Sequence, residues 1–199
     1  DSKGLRMTLY FIFVAIFFIV VIVGLWESTK KQSSLRGVLE NQALKRNGEV
    51  KRVFIFDLKL QFYIDDKVAN VGLRYGGNKS QPTTIIHCKI NNPDGLRLTI
   101  YKEHFLSKLG KKCGLQEIEV MNPEFDDTFV IKGKDENRIR TFLSSDIQQE
   151  LLKFKDKRMN LRITHKSFKI TVFEVLKNEF ELTQFLDIAT VCVRKVFQV

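Results

Sequence analysis

The sequence predicts an α+β protein: an N-terminal transmembrane helix and stalk, then a mostly antiparallel sheet with helices packed on one face. Three observations carry this. Met7–Trp26 is a run of twenty residues without a charge. From Val50 onward, short runs rich in β-branched and aromatic residues alternate with clusters of turn residues. Among the strand signals lie segments that read as helices, beginning near Asp135, Ser145 and Asn178, the last two with capping boxes. The expected organisation is a tail and transmembrane helix over residues 1–26, a linker helix over 27–48, and an α+β globular domain over 49–199.

A helix of twenty residues covers roughly 30 Å, the thickness of a bilayer's hydrocarbon core. The run is apolar all round, whereas a helix of a soluble domain keeps a polar face. It is longer than the apolar core of a secretory signal, and no small-residue cleavage site follows. Tyr10 and Trp26 near its two ends suit the membrane–water interfaces, and Lys30 and Lys31 suit the headgroup layer behind Trp26. Lys3 and Arg6 precede the run, and Lys30, Lys31, Arg36, Lys45 and Arg46 follow it. The positive-inside rule therefore expects the C-terminal domain on the cytoplasmic side.

Between Glu27 and Asn47, Leu35, Val38, Leu39 and Leu44 form a thin stripe at helical spacing. Gly48, behind Lys45 and Arg46, reads as the stop. Strands are expected over VFIFDLKLQFYI, Val71–Tyr75, Thr83–Ile90 and Leu96–Tyr101. Asp65-Asp66, Gly76-Gly77-Asn78 and Asn92-Pro93-Asp94-Gly95 separate them as turns. A short helix is expected over 102–109, ended by Gly110. Gln116–Met121 and Thr128–Lys132 read as strands around Asn122-Pro123. A helix follows over Asp135–Phe142, and Ser145-x-x-Gln148 reads as a capping box for the next. Met159–Thr164 and Phe168–Val175 alternate as a hairpin about His165-Lys166-Ser167. Asn178-x-x-Glu181 opens a last helix that buries Leu182, Phe185, Leu186, Ala189, Val193 and Val196.

Lys3, Arg6 and Asp1 precede Glu27, which leaves 31 basic against 22 acidic residues from Glu27 on, a net of +9. A basic domain beside a membrane suits anionic headgroups or an acidic partner. Cys88, Cys113 and Cys192 are odd in number and widely spaced, with no CxxC, which favours a reducing compartment. His87, His104 and His165 lie at no metal-ligand spacing. Cys113 beside Lys111 and Lys112 has no catalytic signature around it and reads as a solvated thiol. Asp126-Asp127 is the best carboxylate pair. Neighbours on a strand face opposite ways, so a polar turn is the plainer reading, as it is for Asp65-Asp66. No phosphate-loop or dinucleotide motif is present, and Gly76-Gly77-Asn78-Lys79 reads as a turn. Basic residues are spread along the chain and the aromatics sit at core-like positions, so no nucleic acid is expected.

The stretch from Asn122 to Val175 reads NPEFDDTFVIKGKDE, then TFLSSDIQQELL, then a two-strand hairpin. It resembles a segment found in uncharacterised bacterial membrane proteins of unknown function. In those, an F-D-x-x-F strand, a Gly-Asp/Glu turn, a Leu-Ser helix start and a closing hairpin follow one or two membrane helices. The resemblance covers about a quarter of the chain and implies no activity. Read from the residues, Phe125 and Phe129 are core, Gly133 is a turn and Ser145 is a cap.

The expected role is a membrane-anchored, non-catalytic accessory or scaffolding subunit of a membrane protein complex. Its partners are then other subunits and membrane lipid, and no cofactor or metal is called for. The alternatives are a membrane-tethered enzyme using Asp126 or Asp127 with a histidine, and a basic domain that binds an anionic lipid surface.

Overall fold

The computed structural model describes the backbone of residues 2–52, 58–76, 81–92, 95–102 and 116–198. Within the first helix it describes the side chains at 10, 12–24, 26, 33 and from 35 on. The chain divides into two compact units, Asp1–Val38 and Leu39–Val199.

Helix α1 runs from Ser2 to Lys45, so the boundary between the units falls inside it. In the first unit, ten apolar side chains between Ile12 and Val23 are 39–72% exposed, distributed around the helix. Among the described residues, no helix is long and apolar enough to cross a membrane. The uninterrupted described stretch, residues 12–24, covers about 20 Å.

The second unit is an α+β domain in which, among the described residues, all strand pairings are antiparallel. Its strands are β1 (Glu49–Arg52), β2 (Leu58–Ile64), β3 (Lys67–Arg74), β4 (Thr83–Lys89), β5 (Leu98–Lys102), β6 (Gln116–Glu117), β7 (Phe129–Gly133), β8 (Met159–Ile163) and β9 (Ser167–Val172). Helices α2 (Pro123–Thr128), α3 (Glu136–Phe142) and α4 (Ser145–Leu152) fall between β6 and β8, and α5 (Glu179–Val196) follows β9. The nine described strands form one sheet in the order β1-β2-β3-β4-β9-β8-β5-β7-β6. The β8–β9 hairpin therefore sits between the meander β1–β4 and the group β5-β7-β6.

Strand alternation sorts the sheet into two faces. A buried row crosses it through Leu60, Val71, Ile86, Ile170, Leu161, Ile100 and Ile131, each at most 1% exposed. Helix α5 packs against β2 and β4, burying the face from Leu182 to Val196 that the sequence marks. The turn between β2 and β3 is tied to the end of α5 through Arg194 and Asp65, at 3.0 Å. Asp65 takes the left-handed conformation there, with φ 53°. Buried Thr84 holds the passage from β9 to α5: its hydroxyl donates to the Glu174 carbonyl at 2.8 Å and accepts from Leu176 N–H at 2.9 Å.

Several expectations change. The strand expected across VFIFDLKLQFYI is β2 from Leu58 on, paired with a separate β1; residues 53–57 lie outside the described residues. So do residues 77–80, 93–94 and the short helix expected over 102–109 beyond Lys102. Helix α1 stops at Lys45, ahead of Gly48; Asn47 carries the left-handed turn (φ 50°), and Gly48 N–H donates to the Ala43 carbonyl at 2.8 Å. Gly48 is required for close approach, because a Cβ there would lie 2.4 Å from the Gln61 carbonyl oxygen. In the expected stripe, Leu44 is 79% exposed and Gln42 is buried in its stead. Ser145 is no cap: Ser144 precedes α4 without a side-chain capping bond, and Gln148 donates instead to the Leu143 carbonyl at 2.6 Å.

Candidate functional site

β5, β7 and β8 lie side by side, with Thr99 opposite both Arg162 and Lys132, and Leu98 opposite both Ile163 and Gly133. Leu98 and Ile163 point into the core, each 2% exposed. Thr99 and Arg162, one residue out of step, take the other face. At this end of the sheet the three strands and the β8–β9 turn enclose a cleft of about 450 Å³. Arg97 enters it just ahead of β5, Lys134 just behind β7, Arg162 from β8, and His165 and Lys166 from the turn. Thr99 and Thr164 add hydroxyls, and Leu98 and Ile163 border the cleft with their side chains turned to the core.

The walls are held by hydrogen bonds. Thr164 Oγ1 accepts from the backbone N–H groups of Lys166 at 3.2 Å and Ser167 at 3.0 Å, which fixes the hairpin tip. The tip is bound in turn to the end of β4: Ile90 N–H donates to the Lys166 carbonyl at 3.1 Å and Asn92 N–H to the His165 carbonyl at 2.9 Å. Gly133 ends β7 rather than turning the chain. A Cβ there would lie 2.1 Å from Ile139 Cδ1 and 2.9 Å from the Arg97 carbonyl oxygen, so glycine lets the flanks carrying Arg97 and Lys134 close together.

Four permanent cations and one histidine therefore line the cleft, and none of its described lining residues is acidic. The positive character extends across the open face of the sheet. The row there runs Gln61, Asn70, His87, Lys169, Arg162, Thr99, Lys132. Partial burial lowers the His87 pKa from its ordinary 6.5, and the charges of Lys169, Lys89 and Lys59 lower it further. The imidazole thus registers a positive field from three strands at once.

The residues singled out in the sequence are dispersed. Tyr10 and Trp26 are exposed on α1; the side chains of Lys30 and Lys31, and all of His104 and Cys113, lie outside the described residues. His87 and Cys88 point to opposite faces of β4. Cys88 is buried and its thiol pushed up to about 11, chiefly by burial. Asp126 and Asp127 lie on α2, a helix where a strand or turn is expected. Asp126 is committed to the backbone: Oδ1 accepts from Val120 N–H at 2.9 Å and Oδ2 from Asn122 N–H at 3.2 Å. Asp127 is exposed. Among the described residues, no three His, Cys, Asp or Glu side chains are grouped to hold a metal. Sequence reasoning missed Arg97, Lys134, Arg162 and Lys166, although the alternation through LRIT already placed Arg162 opposite to the core.

A protein family described as "Protein of unknown function (DUF3137)" matches residues 77–192, more than half of the 199-residue chain. The chain belongs to the DUF3137 family. The DUF3137 match contains β4 to β9, every residue lining the cleft, and the Asn122–Val175 segment whose resemblance implied a family without an assigned activity. Helix α1 and the strands β1–β3 precede it. No curated protein matches the chain, and no solved structure does.

Proposed function

We propose that this chain is a membrane-anchored, non-catalytic accessory or scaffolding subunit of a membrane protein complex, with its α+β domain used for protein contact. The observation that carries the reading is the apolar part of α1. Met7–Trp26 has no charge, and ten of its described apolar side chains between Ile12 and Val23 are exposed around the helix. Leaving such side chains in water forgoes roughly 1.5–3 kcal/mol each. Lipid removes that cost around the whole circumference, which a one-sided protein contact does not. Tyr10 and Trp26 then occupy the two interfaces, with Lys30 and Lys31 in the headgroup layer and the domain on the cytoplasmic side.

Alkaline washing of membranes from cells making the full chain is the test. The chain is expected to stay with the lipid and to leave it in a variant with Ile16 and Val20 replaced by Arg. Release of the wild-type chain by the wash sinks the anchor. After solubilisation in mild detergent, other subunits are expected to co-purify; a lone stable monomer counts against the subunit role.

A second reading, favoured by the open face of the sheet, is a basic domain resting on an anionic surface. The row of Lys169, Arg162 and Lys132 supports it. Salt distinguishes the two: surface binding weakens as the Debye length shortens, whereas a spanning helix is indifferent.

A further inference from the structure

We infer that the cleft at the end of the sheet is a binding site for a phosphoryl group. Arg97, Lys134, Arg162 and Lys166 come from four separate positions along the chain and converge on one space of about 450 Å³. Small-ligand sites occupy roughly 300–1,000 Å³, so the cleft holds a phosphate and part of the molecule that carries it. Gathering Lys134, Arg162 and Lys166 around one cavity is unfavourable unless an anion joins them. Among the described residues, Lys134, Arg162 and Lys166 have no ion pair of their own. A phosphate monoester, doubly charged near neutral pH, offsets more of that repulsion than a carboxylate does.

The geometry suits phosphate in further respects. Arginine presents a planar fork that meets two phosphate oxygens at once, and Arg162 brings one in from β8. Thr99, directly opposite Arg162, supplies a hydroxyl for a third oxygen. Lys132, Lys169 and the other cations of the open face draw an anion towards the cleft. The tip carrying His165 and Lys166 is held to the end of β4 before any ligand arrives, so little ordering is required on binding. The phosphoryl group belongs either to a lipid headgroup or to a soluble metabolite.

The test is calorimetric titration of the full chain, in uncharged detergent, with inorganic phosphate and then with short-chain phosphatidic acid. Saturable binding is expected for wild type, with at least a tenfold loss in the double variant Arg162→Ala/Lys166→Ala. Arg162→Lys, which keeps the charge without the fork, is expected to fall between. A control variant, Arg52→Ala/Lys177→Ala, removes two exposed cations elsewhere and is expected to bind as wild type. Melting temperatures of all variants confirm folding; the substituted side chains are exposed, so these should stay close to wild type. Tighter binding of phosphatidic acid, displaced by phosphate, assigns the lipid source; equal or weaker binding assigns the soluble one. Absence of saturable binding by either probe, or equal loss in the control variant, overturns the proposal. The titration is done in detergent and does not depend on where the chain resides, so it fails separately from the anchoring reading.

Discussion

Gln42, near the end of α1, donates its side-chain amide to Thr183 Oγ1 on α5 at 2.8 Å, across 141 positions of sequence. Around this bond, Lys45 pairs with Glu179 at 2.8 Å and Arg46 with Asp187 at 2.7 Å. The closing turns of α1, from Leu39, are thereby fastened to the last helix of the domain. Gln42 is fully buried, yet its Oε1 has no hydrogen-bond partner among the described residues. Thr183 Oγ1 also donates to the Glu179 carbonyl at 2.8 Å and keeps that bond without Gln42. Replacing Gln42 by Leu removes one neutral hydrogen bond and one orphaned acceptor at similar volume, so stability is expected within about 1 kcal/mol of wild type. Gln42→Ala leaves a void and is expected to cost about 2 kcal/mol. Denaturant unfolding of the two variants in detergent checks the order; equal losses would contradict it.

Asn122 and Asp126 hold the entrance to α2. Asn122 accepts from Phe125 N–H at 3.3 Å and donates to Gln148 Oε1 at 2.7 Å, which joins α2 to α4. Asn122→Ala is expected to cost about 1–2 kcal/mol, the range of a lost helix cap. Asp126→Ala is expected to cost about 1–3 kcal/mol, because two backbone N–H groups lose their acceptor. Asp127→Ala, at an exposed position, is expected within about 0.5 kcal/mol of wild type. Thermal melts of the three variants separate a structural carboxylate from a catalytic one. A stable Asp126→Ala protein with lost function would restore the enzyme reading.

His87 makes stability depend on pH in a defined window. Its folded pKa lies below the ordinary 6.5, so the unfolded chain takes up the proton first as pH falls. The contribution of the neutral ring is complete above 6.5 and is lost as pH drops from there through the lower folded value. Asp66 and Glu179, whose carboxyls Lys67 and Lys45 hold below their usual values, act in the more acid carboxylate range. The melting temperature is expected to decline on acidification below pH 6.5, and His87→Gln to flatten that decline without touching the carboxylate step. An identical profile in the variant refutes the assignment.

Cys88 and Cys192 are both free and buried, with thiol pKa values raised mainly by burial. The thiolate is the reactive form. Both are expected to resist maleimide at neutral pH in the folded protein and to react on unfolding. Peptide mass analysis after a short pulse of reagent reads each site separately; rapid native labelling of either would show that its surroundings open.

What the chain declares locally, it declares well. The β8–β9 hairpin and α5 follow from alternation, a turn cluster and an Asn cap within some forty residues, and the structure has all of these where expected. Helix α2 escaped notice because it is only six residues long and starts at Pro123, which reads equally as a break between strands. Gln42 was hidden by its polarity: it occupies the core side of α1, while Leu44 faces out. The basic cleft was illegible for a different reason. Arg97, Lys134, Arg162 and Lys166 become neighbours through strand register and sheet order, which are set by pairings between distant segments.

The position of the β8–β9 hairpin also governs how the chain can be assembled as it is synthesised. β4 and β5 have their places on either side of a gap that residues 159–172 must fill. Until the ribosome has released that hairpin, the meander and the β5-β7-β6 group each keep an open edge, and an open edge is a template for pairing with another chain. Sheet closure waits on the two described strands that are made last, and the phosphoryl cleft, half of which is hairpin, comes into being at that same moment. A ribosome that stalls before residue 159 would leave two sticky half-sheets and no site, which makes the nascent chain a natural client for chaperones.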